Sequence, residues 1–181
     1  MRFELANLRH LPIAALVAAG LFASPPAASA ATDEVTQQLK ETRRLIGKLN
    51  IDADRLVSFT HGSRLGWQTH AFQLNQIRDH INAIGEDLAW LQVMRPVSAP
   101  WQQAAIDRVV PVAADLADRT TAAIGHLNEN QSLLFAPEYV DHLQTIAGLA
   151  DHMDGTLGDY LKMAQTRDNL QALEERLEGV S

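Results

Sequence analysis

The sequence predicts an all-α protein, an up-down-up-down four-helix bundle of long antiparallel helices arranged as two hairpins. Three observations predict it. Apolar residues recur at spacings of three and four over four separate stretches, the stripe of a helix that packs its neighbours at a shallow, coiled-coil-like angle. Glycine, proline and small polar residues punctuate the intervals between those stretches, and connections that short make consecutive helices antiparallel neighbours. No stretch alternates with the period of two that a half-buried strand requires. The competing arrangement is a three-helix bundle with a separate first arm.

The chain opens on a segment that reads as a cleavable secretory signal, residues 1–30. Arg2 and Arg9 supply a positive start, and Leu11–Ala23 is an apolar run of 13 residues. Such a run is shorter than the roughly 20 residues that cross a bilayer. Ser24-Pro25-Pro26 interrupts it, and Ala28-Ser29-Ala30 offers a small-x-small cleavage site. Residues 31–181 are then a single four-helix-bundle domain, expected to be periplasmic or extracellular and without an integral membrane segment. Its 151 residues suffice for a sizeable core. Removing Arg2, Arg9 and Glu4 leaves 13 basic and 21 acidic residues, a net charge of −8. An acidic surface of that kind argues against nucleic acid and anionic lipid as partners. Cysteine is absent. In an oxidising compartment this leaves no disulfide framework, and it excludes thiolate catalysis, iron–sulfur clusters and covalently attached haem.

The first helix carries Val35, Leu39, Thr42, Leu45 or Ile46, Leu49, Leu56 and Phe59 on its stripe. Thr60-His61-Gly62-Ser63 follows, with Gly62 suited to a left-handed C-cap and Ser63 to the next N-cap. The second helix has the longest regular stripe: Trp67, His70, Leu74, Ile77, Ile81, Ile84, Leu88 and Leu91. Pro96 ends it. Ser98 is positioned to cap a third helix, whose first turn accepts Pro100. That helix uses Ala105, Val109, Val112, Leu116, Thr120, Ala123 or Ile124, Leu127 and Leu134, with a kink expected near Asp107 because Pro111 lies inside it. Pro137 and Glu138 start the fourth helix, with the acid placed to suit the helix dipole. Its stripe is Tyr139 or Val140, Leu143, Ile146, Ala150, Met153, Leu157, Tyr160 or Leu161, and Ala164, continued out of phase by Leu170, Leu173 and Leu177. Thr42–Asn50 aligns with Thr120–Asn128, and Asp79-His80 with Asp151-His152, which suggests an internal duplication of one hairpin.

The chain carries no glycine-rich phosphate loop, no His-Glu-x-x-His, no Glu-x-x-His pair and no nucleophile elbow. Histidine is the one unusual feature. Six remain after residue 30: His61, His70, His80, His126, His142 and His152. His70 lies eight residues past the first connection, His126 eight before the third and His142 eight after it. At 1.5 Å per residue these three share a layer roughly 12 Å from one end of the bundle. Asp54, Glu138 and Asp141 fall in or near it. His70, His126, His142 and Glu138 are therefore the candidate ligands for a transition metal. The same layer could hold a non-covalent haem, with Met153 and Met163 as weaker axial candidates. The competing reading is a polar layer that hydrogen-bonds across helices and fixes their register. His80 and His152 are expected to face solvent. Trp67, Trp90 and Trp101 read as packing or interface residues, with Trp90, off the main stripe, as the best exposed contact. Asp115, Asp118, Glu174, Glu175 and Glu178 read as solvated faces. Asn50, Asn128, Asn130 and Gln131 are expected to satisfy helix ends. The function these features imply is an exported, non-catalytic bundle with a binding or structural role, holding no cofactor and contacting a protein or small ligand. The alternative is a periplasmic metal- or haem-binding bundle using the histidine layer.

Overall fold

The computed structural model describes residues 25–62 and 65–179, with side chains from Thr32 onward. Four helices account for nearly all of it: α1 Pro25–Ser58, α2 Trp67–Met94, α3 Pro100–Glu129 and α4 Pro137–Glu178. A 3₁₀ turn, Arg95–Val97, joins α2 to α3. Each helix packs against the next, and α4 closes the ring against α1. The chain is thus the up-down-up-down bundle that its periodicity predicts. The α1–α2 and α3–α4 connections lie at one end. The α2–α3 connection, the start of α1 and the end of α4 lie at the other. Among the described residues no helix is long and apolar enough to cross a membrane. The signal segment before Pro25 lies outside the described residues, and the Ala28–Ala30 cleavage site falls within the first turns of α1.

The apolar stripes become the core. Val35, Leu39, Ile46, Leu49 and Leu56 of α1 face Leu74, Ile77, Ile81, Ile84, Leu88 and Leu91 of α2 across a continuous interior, completed by the α3 and α4 stripes through Leu157. Removing that much apolar surface from water is the dominant favourable term in a chain without cross-links. Two polar bridges tie helices at the surface. Arg43 of α1 reaches Asp154 of α4 at 3.3 Å, and Arg95 grips Asp107 of α3 through two contacts of 2.6 Å.

Several sequence expectations change in the structure. Trp67, placed on the α2 stripe, is exposed, because it is the first residue of its helix and stands above the last core layer. Trp90 is half-buried against the core and Trp101 is buried. Gly62 does adopt the left-handed region, with φ +98°. It lies four residues past the end of α1, however, inside a connection longer than the sequence suggests, and Ser63 lies outside the described residues. Gly66 occupies the N-cap position of α2. Ser98 does not cap α3; its hydroxyl donates to the Met94 carbonyl at 2.8 Å, and Gln102 Oε1 accepts the Ala99 N–H at 2.7 Å instead. The helix α3 runs unbroken through Pro111. Pro111 and Asp107 are both exposed, so water can serve the carbonyl that proline leaves without a donor.

The helix α4 runs on past its last buried residue. Ala164 is its last buried residue, and everything from Gln165 to Glu178 is exposed. Leu170, Leu173 and Leu177 keep the helical spacing of the stripe but do not enter the core: their exposures are 56%, 46% and 72%. The proposed duplication is consistent in part with burial. Thr42 and Thr120 are both buried, as are Leu49 and Leu127. Beyond the aligned stretches the two diverge, since α1 continues to Ser58 whereas α3 ends at Glu129.

Candidate functional site

Two regions carry polar chemistry, one at each end of the bundle. The first is the histidine layer. His70 projects from the α2 stripe and is fully buried. Its Nδ1 shares a 3.1 Å hydrogen bond with the Tyr139 hydroxyl of α4, reaching diagonally across the core. Phe59, in the turn just past α1, meets the His70 ring edge-on at a centroid distance of 5.6 Å. On its other side Tyr139 stacks with His126 of α3, centroids 5.3 Å apart and planes 19° apart. Three helices and the turn that follows α1 therefore bring rings to one layer, as the residue counting from the connections predicts for His70 and His126.

Burial sets the electrostatics here. It pushes the His70 imidazole below its ordinary value of 6.5, because a charge with no counter-ion is costly in an apolar setting. It pushes the Tyr139 phenol up for the same reason, since phenolate is the charged form. Both groups are neutral at pH 7. A neutral imidazole has one N–H and one bare nitrogen. Whichever tautomer bonds Tyr139, His70 Nε2 makes no hydrogen bond among the described residues. His126 Nε2 and His142 Nδ1 are likewise buried and unpartnered.

The remaining members of the sequence-derived site are dispersed. Glu138 is largely exposed, and its carboxylate stands 4.0 Å from His126 Nδ1. Asp54 and Asp141 are exposed. Among the described residues no group of three or more His, Asp and Glu side chains is disposed to hold a metal ion. Met153 is buried on the same face of α4 as Tyr139 but roughly 21 Å further along the helix, and Met163 is exposed. His80 does not simply face solvent: its Nε2 meets Asp52 of α1 at 3.1 Å. His152 is exposed as expected. Asn130 caps the end of α3, its amide donating to the His126 carbonyl at 3.2 Å. Asn50 does not sit at a helix end; its side-chain oxygen is buried in α1 without a partner.

The second region was not singled out by sequence. A groove of about 1010 Å³ runs between α1 and α4 toward the end opposite the two hairpin connections. Its walls include Lys40 and Arg43 of α1, Trp101 of α3, and Gly155, Gly158 and Lys162 of α4. The glycines explain why it is open. Gly155 has nothing within 4 Å of where a Cβ would stand. At Gly158 a Cβ would come within 2.8 Å of the Arg43 guanidinium, so the missing side chain lets that guanidinium lie on the α4 backbone while it reaches Asp154. Two glycines three residues apart on one long helix were the available signal; that they face α1 depends on the rotation of α4 and not on spacing.

No family model, no curated protein and no solved structure matches the chain.

Proposed function

We propose that this chain is an exported, non-catalytic binding bundle, carried through the general secretory route by residues 1–30, and that the α1–α4 groove is its binding face. The observation that supports this is the groove itself. It is a concavity at the upper end of the size range of small-molecule sites, walled by charged side chains of both signs and by Trp101, with Gly155 and Gly158 in its lining. Helical bundles commonly place ligand sites between helices.

Two measurements test the proposal. The N-terminus of protein recovered from the periplasm or medium of an expressing bacterium is expected at Ala31; protein retained in the cytoplasm with Met1 intact contradicts export. A small-molecule thermal-shift screen compares the natural chain with Gly155→Phe, a substitution that fills open space without a clash at its Cβ. Compounds that stabilise the natural chain and not the variant are expected. If every stabilising compound acts equally on both, the groove is not the binding face.

A transition-metal or haem reading of the histidine layer rests on the three unpartnered imidazole nitrogens. Metal uptake there would require the rings around Tyr139 to rearrange, and metal analysis of natively produced protein with and without His70→Ala tests it directly. Stoichiometric zinc, copper or iron lost with that substitution establishes the metal reading.

A further inference from the structure

The groove between α1 and α4 has a distinct charge character. The whole chain carries a net charge of −7 and contains three lysines, Lys40, Lys48 and Lys162. Two of the three, Lys40 and Lys162, stand on opposite walls of the groove. Neither makes an ion pair with any described residue, whereas Arg43 is held by Asp154 and Arg167 by Asp168. Asp33 and Asp159 also line the groove, so the lining is mixed in sign. It nevertheless holds two of the three ammonium groups of the chain, neither of them committed to an ion pair among the described residues. Between them the wall is apolar, built from Trp101, Leu161 and Ala164. Trp101 is 93% buried, its exposure being 7%.

From this combination we infer that the groove takes a small amphipathic organic anion, a carboxylate whose head lies between Lys40 and Lys162 and whose apolar body lies on Trp101 and Leu161. The inference rests on the groove being the binding face proposed above, and it adds the ligand class. Two free ammonium groups on facing walls offer charge-assisted hydrogen bonds to both oxygens of a carboxylate. The flexible lysine stems adapt to the head group, while the aromatic wall gives the body a rigid surface. No bond is made or broken, so binding is reversible and weakens as salt screens the lysines.

The experiment uses the full chain with Trp67→Phe and Trp90→Phe, which leaves Trp101 as the sole indole. Both replaced residues lie outside the groove lining. Decanoate and decan-1-ol are titrated separately below their aggregation limits while Trp101 emission is followed. Decanoate is expected to give a saturable change, and the uncharged alcohol to bind at least about tenfold more weakly, the loss expected for a charge-assisted contact. Adding Lys40→Gln and Lys162→Gln is expected to bring decanoate down to the level of the alcohol without changing the helical circular dichroism, since both lysines are exposed. No saturable response to decanoate, equal affinity for acid and alcohol, or full affinity in the double lysine variant would each overturn the assignment. If decanoate fails while the thermal-shift screen still yields compounds that depend on Gly155, the groove remains a binding face and only the ligand class is wrong.

Discussion

The two ends of the bundle treat polar groups in opposite ways. At the end that carries both hairpin connections, imidazoles are drawn inward and packed ring against ring around Tyr139. Six of the seven buried side-chain polar atoms that make no hydrogen bond among the described residues lie in the helix halves nearest that end: Asn50, His70, Gln73, Thr120, His126 and His142. At the other end a groove lined by Gly155, Gly158 and two lysines opens between α1 and α4, and α4 runs on past its last buried residue with leucines exposed. Polar residues packed across helices specify which helix faces which, because only one register brings the rings together. An open end is free of that constraint and can present surface. The difference teaches that a single stripe pattern, continuous from one end of a helix to the other, can serve a closed core in one half and a solvent-facing arm in the next.

The sharpest way to break this comparison is to remove the ring at the centre of the closed layer. Tyr139→Ala is expected to lower stability by about 3–5 kcal/mol, the usual cost of deleting a fully buried aromatic side chain, because Tyr139 is fully buried against His70 and His126. Urea unfolding monitored by circular dichroism measures it. A loss under about 1 kcal/mol would mean that the layer is loosely packed and easily refilled.

The next effect is smaller and isolates the hydrogen bond. Tyr139→Phe keeps the ring and removes the hydroxyl that His70 Nδ1 meets at 3.1 Å. Leaving a buried imidazole nitrogen without its partner is expected to cost about 1–3 kcal/mol. Equal stability of the two proteins would show that the bond contributes nothing net.

The pH dependence sharpens the same contrast. Burial holds the folded-state His70 pKa below 6.5, and the rings that face it, Phe59 and Tyr139, carry no compensating charge. Below pH 6.5 the unfolded chain therefore binds a proton that the folded protein resists, and stability rises with pH through that window. The contribution is fully present above about pH 6.5, the unperturbed histidine value, and is lost as pH falls below it. Urea midpoints at pH 7.5 and pH 5 are expected to differ less in His70→Phe than in the natural chain. An unchanged difference would assign the acid sensitivity to other groups.

The smallest effect is expected in the arm. Leu173→Ala removes a side chain that is nearly half exposed beyond the last core layer, and should change stability by no more than about 0.5 kcal/mol, as surface substitutions usually do. A loss comparable to a core leucine, about 2–5 kcal/mol, would show that this surface is covered in solution.

Much of the fold was legible because periodicity reports burial wherever a helix has neighbours along its whole length. On α2 every stripe residue from His70 to Leu91 is buried. Counting residues from the connections placed His70 and His126 at one height, and the structure brings both to Tyr139. It could not say which ring stands between them. Tyr139 and Val140 are adjacent on α4, and the rotation that buries Tyr139 fully and Val140 partly is set by packing across helices. The groove was not legible for a related reason. It exists where side chains are absent, and Gly155 and Gly158 make a groove only because α1 crosses them there. Leu170, Leu173 and Leu177 misled because a stripe records what a helix could bury and not what the fold buries.

The most direct test of the contrast between the ends is amide hydrogen exchange of the full chain, resolved by peptide. Residues 70–77 and 139–146 are expected to exchange only through global unfolding, and residues 165–178 orders of magnitude faster through local opening, since no residue of that arm is buried. Protection of the arm equal to that of the histidine layer would contradict the account, and would mean that the two ends are closed alike.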